Sequence, residues 1–146
     1  MIVLLPCTKS KLEHPAPASE LYTASHYWRC LWHYKDKVAP KAPAFVVSAL
    51  HGLLDLQSDT LVEPYELSVA DLSRDTRKVW AQKVADSVMQ LGDATIVWLL
   101  PKSYQKHIKP LLPDHQHLTP FDGLRGIGDI KRHCLAAESG DGWGTR

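Results

Sequence analysis

Residues 2–11 read IVLLPCTKSK, and this stretch decides the fold class. Ile2–Leu5 is apolar without interruption, so it predicts a strand buried on both faces, as in a parallel sheet covered by helices. The run stops at Pro6. A thiol (Cys7), two hydroxyls (Thr8, Ser10) and two ammonium groups (Lys9, Lys11) follow at once.

Two further runs share this character: AFVVSAL at Ala44–Leu50 and ATIVWLL at Ala94–Leu100. HQHLTP at 115–120 predicts a shorter fourth strand. Helical patterns separate the runs. One extends from Ser25, a suitable N-cap, to about Lys35, with Trp28, Leu31 and Trp32 on one stripe. A second runs from Ser73 to Leu91 and is stopped by Gly92. A short one covers Ser103–Leu112, limited by Pro110, and a last one covers Ile127–Ala137. The prolines of HPAPAS oppose helix, HGLLDL reads as a loop led by Gly52, and 57–72 reads as irregular.

Strands alternating with helices predict an α/β three-layer sandwich: a mostly parallel central sheet of about four strands with helices on both faces. The 146 residues suit one domain over 1–138, followed by a polar, glycine-rich tail at 139–146 that is expected to fray.

Bulk properties bound the function. With 45% hydrophobic and 23% charged residues and a formal net charge of +1, no global field draws the chain onto a polyanion. Any nucleic-acid contact must come from a local basic patch. Cys7, Cys30 and Cys134 are odd in number and widely spaced, which supports neither a disulfide framework nor a zinc knuckle and fits a reducing, cytoplasmic setting. The opening MIVLLPC has no basic flank and is too short for a leader or a span, so no membrane association is expected.

Open parallel sheets bind ligands outside the carboxyl ends of their strands. The loops to read are therefore PCTKSK, HGLLD, PKSYQK and PFDGLRG. In the first, strand-end amides, the Thr8 and Ser10 hydroxyls, and Lys9 and Lys11 can surround a phosphate; the alternative is a solvated turn. The glycines of a Walker A loop are missing. Cys7 can be a nucleophile beside Lys9 and Lys11, but a small residue packed beneath the loop is the favoured reading.

In SALHGLLD, Ser48 lies inside the second strand, His51 stands at its exit beside Gly52, and Asp55 follows four residues after His51. His51 can donate to a ligand or serve as acid and base there. VEPYEL holds Glu63 and Tyr65 around a stiff Pro64; Tyr65 either stacks on a base or anchors the loop. Lys102, Lys106 and Lys109 form one basic stripe, with Ser103 beside its start, suited to a phosphate backbone or simply to solvent. His115 and His117 share a strand face, but no third ligand follows, so no metal is expected. Arg125 lies in a GLRG turn before the final helix, where glycine permits a close approach to phosphate.

Taken together, LLPCTKSK, ASELYTAS, VVSALHGLLDLQSDTLVEPYEL, the helix around WAQKV and PFDGLRGIGDIKRHCL resemble a small bacterial and phage domain of unknown function. Its members are labelled YaaA-like, and it is related to one module of archaeosine synthase. The resemblance implies a fold similar to uracil-DNA glycosylases and a working life around nucleobases. It implies site roles for Cys7, Lys9, Lys11, Tyr22, Ser48, His51, Gly52, Glu63 and Tyr65. The glycosylases' GQDPY-type and HPS loops are absent.

The resulting expectation is an enzyme of DNA glycosylase type that hydrolyses the N-glycosidic bond of a modified base, with no cofactor and with DNA, as a flipped or single-stranded nucleotide, for partner. Glu63 or Asp55 would face the charge that builds on the sugar, and His51 would donate to the leaving base. Two alternatives stay open: a non-catalytic DNA-binding or stress-response protein, and an enzyme of free nucleosides or nucleotides.

Overall fold

The computed structural model describes residues 1–140, 142 and 143. It is a mixed α/β structure built on a five-stranded, mostly parallel sheet. Its central strand is β1 (Ile2–Pro6), every residue of which is buried. On one side β1 pairs in parallel with β3 (Ala44–Ser48), and on the other with β6 (Ile96–Trp98). Both partners are also buried throughout, as strands covered on two faces must be.

β4 (Gly52–Asp55) lies antiparallel on the outer side of β3, and β7 (His117–Leu118) lies parallel on the outer side of β6. A separate pair joins β2 (Ala16–Pro17) to β5 (Leu61–Val62). The helices are α1 (Ala18–Leu21), α2 (His26–Val38), α3 (Arg74–Gln90), α4 (Lys102–Ile108) and α5 (Gly126–Leu135). Ser25 and Ser73 cap α2 and α3 by accepting from the Trp28 and Thr76 amides. α2 packs on α5, and α3 packs on α4.

Three expectations are corrected. HGLLDL is not a loop: its residues Gly52–Asp55 are β4, so the sheet has five strands. Gly52 makes this possible. At φ +73 it ends a three-residue turn and sends the chain back along β3, with Ser48 opposite Gly52. HPAPAS opposes helix only as far as Pro17, after which α1 begins. The tail does not fray at Trp143, which is buried against Tyr34; 141 and 144–146 lie outside the described residues.

The sheet order β4-β3-β1-β6-β7 has a functional consequence. The chain leaves β1 for one side, then returns through α3 to the other. Between β1 and β6 the direction of winding reverses, and such a switch point opens a crevice at the strand ends.

Candidate active site

Cys7 is the first residue after β1, and its amide donates to the Val47 carbonyl of β3. Across the switch point, Pro101 leads from β6 into α4, where Tyr104 stands one turn along. The Tyr104 hydroxyl lies 3.4 Å from Cys7 Sγ. The two loops that the topology opens are thus joined by one side-chain contact.

On the β3 side, Ser48 is fully buried. Its Oγ accepts the amides of Leu50 and His51 at 3.3 and 3.1 Å and donates to the Tyr65 hydroxyl at 2.6 Å. The Tyr65 hydroxyl meets that of Tyr22, also fully buried, at 2.6 Å. Lys11 Nζ sits 4.4 Å above the centre of the Tyr65 ring, and His51 meets that ring edge-on at 5.3 Å. Trp80 of α3 supports the assembly, donating to the Ser48 carbonyl at 2.9 Å and meeting the Tyr104 ring edge-on.

Counting protons identifies what this network offers. Ser48, Tyr65 and Tyr22 carry three hydroxyl protons but share two hydrogen bonds. The Ser48 proton goes to Tyr65, and one phenol proton bridges the tyrosines. The other phenol proton has no acceptor among the described residues. A donor of this kind takes its acceptor from water or from a ligand. Burial drives the ionisation of Tyr22, Tyr65 and Tyr104 far above the ordinary tyrosine range, so the donor persists at every physiological pH.

The cations respond to the same burial. It lowers the Lys11 ammonium from its ordinary value, against the pull of Cys7 and Glu66. His51 is lowered by burial first and then by Lys83, which keeps the imidazole neutral near pH 7. Beside Lys11, a cleft of about 290 Å³ is lined by Lys9, Glu66 and Asp71.

The structure therefore brings together Cys7, Lys11, Tyr22, Ser48, His51 and Tyr65, with Gly52 as their backbone hinge. Other candidates stand apart. Asp55 is opposite Phe45, at the far end of β4 from Gly52, and binds the amide and side chain of Gln57; strand geometry removes it from His51. Glu63 is exposed and makes no hydrogen bond or ion pair with the cluster among the described residues. Thr8 donates to the Ser10 carbonyl, so the first loop satisfies itself, and Ser10 is exposed. Arg125 is exposed at the start of α5, its amide bound to Asp129. Lys102, Lys106 and Lys109 do line one cleft, of about 560 Å³, with His117 and Asp122, while Ser103 faces another, with Tyr104.

His117 is no metal ligand here. Its Nδ1 accepts from Trp98, so its Nε2 carries the proton and donates to the Leu112 carbonyl. No cluster of His, Cys, Asp and Glu among the described residues can hold a metal ion. All three cysteines are free and buried. No described helix is long and apolar enough to cross a membrane.

Sequence reading missed Tyr104 and Glu66. Both lie inside quoted motifs, PKSYQK and VEPYEL, and the available signal was their place: one near a strand end, one beside Tyr65.

Comparison with known proteins agrees with the fold. A model described as a family of unknown function, DUF6884, matches residues 2–133. The crystal structure of AF0587, a protein of unknown function, is similar at a TM-score of 0.54 and 16% identity over 96% of this chain. This chain spans 46% of that one. No curated protein matches.

Proposed function

The chain belongs to this family of unknown function, DUF6884, and from that premise we propose that it acts on nucleobases in DNA, hydrolysing the N-glycosidic bond of a modified base. The observation that carries the reading is the surplus phenol proton of the Ser48–Tyr65–Tyr22 chain, held beside the crevice between β1 and β6. A finer fold proposal accompanies it. The helix pairs α2/α5 and α3/α4 fit the three layers of a uracil-DNA glycosylase-like fold and kinship with the YaaA-like and archaeosine-synthase domains.

In this hydrolysis the bond from C1′ to the base nitrogen breaks, its electrons stay on the base, and water oxygen bonds to C1′. The surplus O–H donates to the base as negative charge builds on it. Neutral His51 has a lone pair to receive the proton of the attacking water and an N–H to offer the base. Glu66, whose charge reaches Lys11 and which lines the cleft beside it with Asp71, is the carboxylate assigned here to the positively charged sugar, the role first given to Glu63 or Asp55. Lys11 and Lys9 balance the substrate's phosphate.

The test is incubation of purified protein with duplex and single-stranded DNA carrying natural and modified bases, followed by chromatography for free base. Release is expected from at least one modified base. No release from any substrate, with DNA binding intact, would leave a binding module, the reading favoured by the absence of Glu63 and Asp55 from the cluster. Glu66→Gln separates the two readings: it lowers base release about tenfold or more in an enzyme and leaves affinity unchanged in a binder.

A further inference from the structure

The Tyr104 side chain has two sides. Its hydroxyl meets Cys7 in the site above, and its flank lines a neighbouring cleft of about 320 Å³ between α3, α4 and the 3-10 turn at Val69–Asp71. Three cationic or basic groups from two helices converge there: Arg77 of α3, and Lys106 and His107 of α4. Ser103 adds a hydroxyl, while the Ser68 hydroxyl donates to the Asp71 carboxylate at 2.9 Å. No carboxylate lines this cleft among the described residues, unlike the clefts that contain Glu66, Asp71 or Asp122.

Arg77 is fixed rather than waving in solvent. Its Nη2 donates to the Leu72 carbonyl at 2.9 Å. Its Nε is buried and has no partner. A buried guanidinium N–H without an acceptor is costly, and the geometry of the guanidinium fork matches a phosphate. His107 reports the field in the cleft: after burial, Arg77 and Lys106 are the groups that lower its proton affinity.

We propose that the Arg77–Lys106–His107 cleft is a phosphate subsite, which takes the phosphodiester adjoining the nucleotide whose base enters the tyrosine pocket. This rests on the nucleobase reading above and specifies its substrate as a strand rather than a free nucleoside. Lys106 also lines the cleft of Lys102 and Lys109, so the strand has a cationic path onward across α4.

Two measurements test this. In the first, His107 is titrated by NMR with and without millimolar inorganic phosphate. An upward shift of its pKa is expected, because a nearby anion favours imidazolium; no shift overturns the anion site. In the second, affinities for a nucleoside, its 5′-monophosphate and a short single-stranded oligonucleotide are compared in wild type, Arg77→Gln and Lys106→Gln. Lys106 is exposed, so its variant keeps the fold. Each variant is expected to weaken oligonucleotide binding about tenfold, to reduce the salt slope by about 0.7, and to leave nucleoside binding unchanged. Unchanged oligonucleotide affinity and slope in Lys106→Gln overturn the subsite while base release stands. A phosphate-induced shift of His107 in a protein that binds no nucleoside keeps the anion site and removes the nucleobase reading instead.

Discussion

Two buried tyrosine clusters sit on this protein, and they differ in their protons. Between α2 and α5, Tyr34 is packed among Phe121, His133 and Trp143. Its hydroxyl donates to the Trp143 carbonyl and meets His133 Nε2 at 3.3 Å. That proton ends on a backbone acceptor. At the switch point, Tyr65 also has an edge-on histidine and a short hydrogen bond, but the chain it belongs to carries one proton more than it can place. It also has a lysine over its ring and clefts at its side. The same residue types make an anchor in one place and, in the function proposed above, a receptor in the other. A matched proton is structural, whereas an unmatched one invites a ligand.

The sharpest way to break this contrast is to remove both hydroxyls in parallel. Tyr65→Phe is expected to lower base release about 100-fold, as loss of one donor to developing charge does, with its circular dichroism unchanged. Equal release from wild type and variant would dissolve the distinction. Tyr34→Phe is expected to leave release alone and to cost about 1–2 kcal/mol of stability, read as a lower urea midpoint at constant slope. Lost activity with full stability would reverse the assignment.

A smaller effect probes the rim of the receptor cluster. Gly52 has φ +73, and a Cβ there would lie 3.3 Å from Lys83 Cε. Gly52→Ala is therefore expected to cost about 1–2 kcal/mol and to loosen the amides that hold Ser48 Oγ. A wild-type melting temperature would show that the turn is not held by its backbone.

The smallest expected effect is a pH dependence remote from both clusters. Burial lowers His117 from its ordinary value of 6.5, so the unfolded chain binds its proton more tightly than the folded one. Stability is then intact above pH 6.5 and falls as the pH drops through the folded value. His117→Gln should flatten the stability curve below pH 6.5. An unaltered slope would assign the acid loss to other groups.

The three central strands were legible because residues buried on both faces are apolar at nearly every position, a pattern visible in IVLLP, in AFVVS with Ser48 its one polar member, and in IVW. The cap Ser25 was legible because a helix start needs a side-chain acceptor within its own first turn. β4 was not, because its pairing depends on a turn that only a positive φ at Gly52 completes. Nor was the cleft that Glu66 lines with Lys9 and Asp71, since a stretch without regular structure has no periodicity to fix where its side chains fall.

By itself, then, the order of residues determined the mixed α/β class of the protein and the buried strands at its centre, since hydrophobic period is a local property. Only the tertiary structure decided which hydroxyls meet, which proton is left over, and that Arg77 stands beside Lys106 and His107. Those facts arise between residues tens of positions apart, where a hydrogen bond depends on ångström distances that no spacing along the chain encodes.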